Sequence, residues 1–170
     1  LALAPAWAQT INVCTEVDDF PPFNFRSLRE DKRIVGDSRG SSIAMLAQIA
    51  TSLQFNLQLQ RLPWARCMLA VETGRVDLAL DAYYDRERAR RFDFSQPYAR
   101  LTPHIFYYRP RFPDGLPSTH PAALARLAGC GIRGYSYAHY GVNAQPLDQK
   151  ADTHEQLVEK LKAGRCDYFF

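Results

Sequence analysis

The 170-residue chain holds no run of about 18 apolar residues, the least a membrane-crossing helix needs, so nothing in it reads as a membrane span. Charge of one sign is scarce too. Lys and Arg number 21 against 18 Asp and Glu, and the net charge of +3 is too mild to imply a nucleic-acid partner. The one basic run, RERARR at 86–91, is interrupted by Glu87 and flanked by Asp85 and Asp93, which suits an exposed helix start better than a phosphate-tracking stripe. His104, His120, His139 and His154 form no H-E-x-x-H motif, and the four cysteines form no C-x-x-C pair. Neither a metal nor another cofactor is therefore expected. With 46% hydrophobic and 23% charged residues the chain is not disordered, and it can bury one sizeable core or two small ones.

The cysteines that are present, Cys14, Cys67, Cys130 and Cys166, agree with an oxidising compartment. Cys130 and Cys166 each open a predicted strand in the same half of the chain. Neighbouring strands lie about 5 Å apart, within the Cα separation that a disulfide tolerates. The favoured pairing is Cys130 with Cys166 and Cys14 with Cys67; free buried thiols are the alternative. The first eight residues, LALAPAWA, end in Ala6, Trp7 and Ala8 ahead of Gln9 and Thr10, the small-x-small pattern that precedes signal-peptide cleavage. They are expected to be the remnant of a secretory signal, with a buried N-terminal helix as the alternative. The chain is accordingly expected to lack its beginning and, since its last predicted strand stops at Phe170, its end.

One phrase occurs twice, as TGRVDLAL at 73–80 and AGRCDYFF at 163–170. Each copy comes after an amphipathic helical stretch, turns at a glycine and enters an apolar run of strand length. The rest of the pattern agrees with a repeated βαβ module. TINVCTEV at 10–17 alternates as a strand, and DDFPPFNF then breaks it with two prolines among aromatics. SSIAMLAQIATSL from Ser41 places Ile43, Leu46, Ala47, Ala50 and Leu53 on one helical face, with a serine available as N-cap. FNLQLQRL at 55–62 alternates again, Pro63 opens the helix WARCMLAVETG, and VDLAL is the next strand. That βαβαβ order predicts a parallel sheet with helical crossovers. The aromatic, extended PHIFYYR and the proline-rich stretch at 109–121 mark a change of territory. A second α/β unit then begins with LARLAG, the strand GCGIRG, a Tyr-rich loop, the helix THEQLVEKLKAG and the strand CDYFF.

GDSRG at 36–40 formally matches the G-x-S-x-G nucleophile elbow, but charged residues rather than a strand precede it, which favours a glycine-bearing loop. The more informative block is VDLALDAYYDRERARRFDFSQPY at 76–98. In open parallel sheets ligands bind at the carboxyl ends of strands, where helix N-termini favour anions. Arg88 at the start of a short helix there is placed to grip a carboxylate bidentately, or to form a surface ion pair with Asp85 or Asp93.

From Ile11 to Phe170 the chain resembles the periplasmic solute-binding proteins of polar-amino-acid ABC transporters, the bacterial family 3 type, whose fold is shared with ionotropic glutamate receptor ligand-binding domains. The resemblance rests on the first strand with DDFPPFNF, on Gly40 before the amphipathic helix, on LPWARCMLAVETGRVDLAL, on ERARRFDFSQPY, on GIRGYSYAHYG and on GRCDYFF. It implies an α/β, two-lobed, type II periplasmic-binding-protein fold, each lobe a mainly parallel sheet flanked by helices. Residues 9–101 would form lobe 1 and residues 102–170 an incomplete lobe 2, with the hinge near 99–108. Arg88 falls on the arginine that binds the ligand carboxylate, assisted by the backbone around Tyr83. Phe20 and Phe23 fall on the aromatic wall, Gly134, Tyr135 and Ser136 on the loop that closes over the ligand, and Trp64 and Asp81 beside the cleft. The implied protein is a periplasmic, monomeric, non-catalytic carrier of a small carboxylate-bearing solute, an amino acid by default, serving an inner-membrane ABC permease.

Two departures matter. Asp85 stands where the family carries a threonine, beside the expected carboxylate site, where it either pairs with Arg88 or rejects an anionic group. The family's amine-binding carboxylate normally comes after the last strand, beyond Phe170. Two alternatives stay open: an enzyme like the periplasmic cyclohexadienyl dehydratases, with Asp81 or Asp85 as its acid, and the sensor module of a larger signalling protein.

Overall fold

The same two bonds anchor each copy of the repeated phrase in the computed structural model, which describes residues 9–26, 38–141 and 147–170. In the first copy the Asp77 N–H donates to Asn12 O at 2.9 Å, and Asp77 Oδ2 accepts from the Asn12 N–H at 2.7 Å. In the second the Asp167 N–H donates to Ala128 O at 2.6 Å, and Asp167 Oδ2 accepts from the Ala128 N–H at 2.8 Å. One aspartate thus grips the backbone of one residue at the start of the neighbouring strand. The resulting register is the same in both: Val13 pairs with Leu78 and Cys14 with Ala79, while Gly129 pairs with Tyr168 and Cys130 with Phe169. The glycine turn before each clamp is left-handed, at φ 69° for Gly74 and 65° for Gly164.

The described residues form two compact units, one running to Ala82 and the other from Tyr83 to Phe170. The first unit contains β1 (Thr10–Glu16), β2 (Phe25–Arg26), β3 (Ser38–Arg39), α1 (Ser41–Leu53), β4 (Asn56–Leu62), α2 (Trp64–Glu72) and β5 (Leu78–Ala79). Its main sheet has the order β4-β1-β5 and is parallel throughout, as the βαβαβ pattern predicts. Successive residues of the central strand point to opposite faces. Val13 packs with Ile43 and Leu46 of α1 and with Leu80, while the next residue, Cys14, is bonded to Cys67 of α2. The helices therefore cover the two faces of β1. Two details of α1 differ from expectation. Leu53, the last residue of the helix, is 67% exposed, and no serine caps the N-terminus. Gly40 stands at the cap instead, and the Ser41 and Ser42 N–H groups donate to Pro22 O and Phe23 O.

The second unit contains β6 (Phe106–Tyr107), α3 (Pro121–Leu124), β7 (Gly129–Ile132), β8 (Asp148–Ala151), α4 (His154–Lys162) and β9 (Tyr168–Phe169). The sheet order is β6-β9-β7-β8, parallel except for β6, which runs antiparallel to β9. Cys130, Ile132, Ala151, Leu157, Leu161, Cys166 and Phe169 make the core under α4, while Leu124, Tyr137 and Tyr168 make a second cluster. β8 has no counterpart among the strands read from the sequence. Its residues DQKA carry only one buried side chain, Ala151, and an edge strand held by backbone bonds shows no alternation to read.

Both expected disulfides are present, Cys14–Cys67 with Cα atoms 5.7 Å apart and Cys130–Cys166 with Cα atoms 5.9 Å apart. The break between units at Ala82 and Tyr83 falls ahead of the lobe boundary expected at 101. The Arg88 side chain donates to Gly134 O, which ties the segment after Tyr83 to the second unit. The expected signal remnant at 1–8, and Gly36 and Asp37 of the GDSRG motif, lie outside the described residues.

The two clamps differ in burial, and that sets their expected contributions. Asp167 is 8% exposed and its Oδ1 meets Arg111 Nη2 at 2.8 Å, whereas Asp77 is exposed. Asp167→Ala should cost about 2–3 kcal/mol, since it removes the acceptor of the Ala128 N–H and the ion-pair partner of Arg111 from a nearly buried position, and Asp77→Ala only about 1 kcal/mol. Urea unfolding of both variants checks this, and equal, near-zero losses would remove the clamps from the account of stability. Closing loops of 53 and 36 residues, each disulfide should add about 4 kcal/mol by loop entropy. Unfolding with and without reductant, compared with a Cys130→Ser/Cys166→Ser variant, measures the second of them.

Candidate functional site

In the first unit the residues expected near a ligand gather around the end of β5. The chain leaves that strand through Leu80 into Asp81, whose φ of 62° is left-handed, a conformation that aspartate tolerates better than most residues. Its carboxylate accepts from Asn24 Nδ2 and from Ser42 Oγ, each at 2.5 Å. Asp81 thereby joins the aromatic loop after β1 to the first turn of α1. Within that loop the Phe20 and Phe23 rings stack at 5.3 Å, and backbone bonds between Phe20 and Asn24 close it tightly. Gly40 is required where α1 meets the loop: a Cβ there would lie 2.1 Å from Phe23 O, at a backbone φ of 121°. Trp64 is only 5% exposed and belongs to the buried part of α2. Asn24 and Ser42 carry no distinguishing signal in the sequence, because an asparagine after a proline turn and a serine in a first turn look like ordinary loop and capping residues.

In the second unit Arg88 opens a single 3-10 turn, Arg88–Arg90. Its side chain is 12% exposed and surrounded by oxygen. Nη1 donates to Tyr83 O at 3.0 Å, Nη2 donates to Gly134 O at 2.6 Å, and Nε lies 3.6 Å from Asp85 Oδ2. Asp85 therefore forms the ion pair with Arg88. Asp85 Oδ1 also accepts from the Arg88 N–H at 2.7 Å, and its carboxylate takes hydrogen bonds from the Ser136 hydroxyl and the Glu87 N–H. Thus Tyr83, Arg88 and Ser136, three of the expected ligand residues, are brought together with Asp85 and Gly134. Tyr135, next to them in sequence, packs half-buried against the cores, sits edge-on to His154 and lies near enough to act on the Arg88 charge.

Aromatic rings complete this cluster. Tyr83 stacks on His139 at 4.9 Å, His139 lies 4.0 Å from Tyr140, and Tyr140 stacks on Phe170 at 4.1 Å. The Tyr140 pKa is pushed up to about 12, chiefly by burial, with the charge and hydroxyl of Tyr83 adding to it. Burial and the Arg88 charge hold His139 below its ordinary value, so it stays neutral near pH 7. His139 and Tyr140 were legible only as a histidine and a tyrosine in a loop. Burial tends to raise Asp85, but the N–H bonds, the Ser136 hydroxyl and the Arg88 charge outweigh it and its pKa is lowered. Among the described residues no group of three or more His, Cys, Asp or Glu side chains is arranged to hold a metal ion. No helix of these residues is long and apolar enough to cross a membrane.

The family match places this chain in the class of solute-binding proteins. Residues 11–125 match the bacterial extracellular solute-binding proteins, family 3, and the chain belongs to that family. Solved structures show the same type II periplasmic-binding-protein fold. An ancestral arginine-binding protein bound to arginine is 24% identical over 94% of this chain and 68% of its own, with a TM-score of 0.71. An amino acid ABC transporter substrate-binding protein from Streptococcus pneumoniae, bound to L-arginine, is 22% identical over 94% of this chain and 66% of its own, with a TM-score of 0.73. The ancestral amino acid-binding protein AncCDT-1, a precursor of cyclohexadienyl dehydratase, is 21% identical over 94% of this chain and 69% of its own, with a TM-score of 0.66. The chain spans about two thirds of the length of these structures. No curated protein matches it.

The lowered pKa of Asp85 gives a pH dependence with a definite sign. A carboxylate whose folded pKa lies below its unfolded value of 3.8 contributes stability above that value and loses it as the pH falls through the folded one. Asp85→Asn should therefore melt below the wild type near neutral pH, and the two melting curves should converge in acid. Melting temperatures traced from neutral pH into the acid range test this; a gap that persists at the acid end would mean that shape, not charge, gives Asp85 its stabilising role.

Proposed function

We infer that this protein is an extracytoplasmic solute-binding protein that captures a small carboxylate-bearing solute, an amino acid by default, for delivery to an ABC permease. The observation that carries this reading is Arg88: a nearly buried guanidinium, fixed by two backbone carbonyls at the head of a short turn, in a chain of the solute-binding family. Charge-assisted hydrogen bonds from such a group to a carboxylate contribute about 1.5–3 kcal/mol each, because the donor is already desolvated and oriented. On this reading Phe20 and Phe23 supply an apolar wall, the Gly134–Ser136 loop closes over the ligand, and a hinge near 99–108 separates two lobes, lobe 1 at 9–101 and lobe 2 at 102–170. Ligand contacts that exist only in the closed state would shift the hinge towards closure. Secretion to the periplasm, a signal remnant at 1–8 and a monomeric state belong to the same proposal.

Of the two carboxyls open to a dehydratase, Asp81 and Asp85, the second does not suit a general acid. A general acid needs a carboxyl raised towards the working pH, and Asp85 is held in the opposite direction. The sensor reading uses the same site and differs only in what the ligand-bound form meets.

Thermal-shift titration with L-arginine, L-glutamine and simple carboxylates tests the reading. A ligand at about 100 times its Kd should stabilise the protein by about 2.7 kcal/mol. Arg88→Ala should weaken binding at least about tenfold, the loss of one charge-assisted contact. A ligand consumed during the titration, prephenate for instance, would point to the enzyme. Unchanged affinity in Arg88→Ala would remove Arg88 from the site.

A further inference from the structure

Each nitrogen of the Arg88 guanidinium has an oxygen beside it, and these oxygens are not equivalent. Tyr83 O and Gly134 O are neutral carbonyls, whereas Asp85 Oδ2, 3.6 Å from Nε, carries a full charge. A bidentate ligand carboxylate takes two donors along one edge of the fork. It can displace a carbonyl from Nη2 without meeting another charge, yet it would still lie beside Asp85. Asp85 cannot withdraw easily. Its other oxygen is held by the Arg88 N–H at 2.7 Å, and the Ser136 hydroxyl and Glu87 N–H bond the same carboxylate. These donors favour the ionised form, so protonation near pH 7 offers no relief.

We propose that Asp85 determines which carboxylates Arg88 accepts, admitting zwitterions whose ammonium group answers the Asp85 charge and rejecting carboxylates that bring no cation. The proposal rests on the reading that Arg88 binds the solute carboxylate. In an α-amino acid the ammonium is two bonds from the carboxyl carbon, so it stays close to the carboxylate that Arg88 holds and can offset the charge of Asp85 beside it. The paired charges of Arg88 and Asp85 then complement the paired charges of the ligand head group. A carboxylate alone meets the attraction of one and the repulsion of the other.

The test compares L-arginine with 5-guanidinopentanoate, the same molecule without its α-ammonium, by calorimetric titration of the wild type, Asp85→Asn, Asp85→Thr and Arg88→Ala. The wild type should prefer L-arginine. Both Asp85 variants should narrow that preference at least about tenfold by tightening the deamino ligand, the low end of what one neighbouring charge does at this range. A residue that merely supports the turn would change both affinities together, so the ratio is the decisive readout, and melting of the unliganded variants reports folding separately. The proposal is overturned if both variants keep the wild-type ratio while Arg88→Ala loses both ligands, an outcome that leaves the Arg88 reading standing. If Arg88→Ala binds both ligands as the wild type does, the Arg88 reading falls and this proposal with it. If the wild type binds neither, the Asp85 variants should still gain the deamino ligand, and their failure to do so overturns the proposal as well.

Discussion

A carboxylate and an N–H of the same aspartate, both spent on the backbone of one residue, fix the register of β5 against β1 and of β9 against β7. The clamp sits where a parallel strand begins, the point at which a slip of one residue would turn every side chain to the wrong face. Asp77 and Asp167 settle that choice in the two units by the same pair of bonds. Once the register is set, Cys14 and Cys130 lie two residues beyond the clamped positions, where each meets its partner, Cys67 or Cys166. The duplicated phrase is thus a duplicated device for starting a strand, with its glycine, its buried apolar residue and its aspartate each given the same task.

The segment at the far end of each clamped strand decides the chemistry. After β5 the chain turns through Asp81, which is committed to Asn24 and Ser42 and so acts within the protein, holding the aromatic loop against α1. After β9 the ring of Phe170 joins the stack that continues through Tyr140 and His139 to Tyr83. The stack and the Arg88 cluster share Tyr83, whose carbonyl orients the guanidinium while its ring packs on His139. Electrostatic control and aromatic packing therefore meet in one residue. Arg88 loses hydration by burial and gains oriented carbonyl dipoles in its place.

Much of this was legible in the chain before folding, for physical reasons. The alternation at 10–17 and 55–62, the helical face of Ile43, Leu46 and Ala50, and the glycine turns before VDLAL and CDYFF are local signals, and local sterics enforce them. The pairing of Cys130 with Cys166 was readable because both cysteines stand at or just ahead of apolar runs of strand length in the same half of the chain. β8 was not legible, since DQKA carries a single buried residue and its hydrogen bonds depend only on the edge of β7. Arg88 and Asp85 could be singled out as neighbours, but two roles for Asp85 were equally consistent with the residues alone.

The sequence by itself determined the α/β class, the parallel order within the first unit, the family and the identity of Arg88 as the charged group to watch, because each rests on periodicity or on motifs a few residues long. Tertiary structure alone decided that Asp85 pairs with Arg88, that Gly134 lends its carbonyl, that Asp81 serves Asn24 and Ser42, and that His139 and Tyr140 join the site. Those contacts join residues far apart in the chain through hydrogen bonds of a few ångströms, and the balance among competing donors and acceptors exists only after the backbone has brought them together.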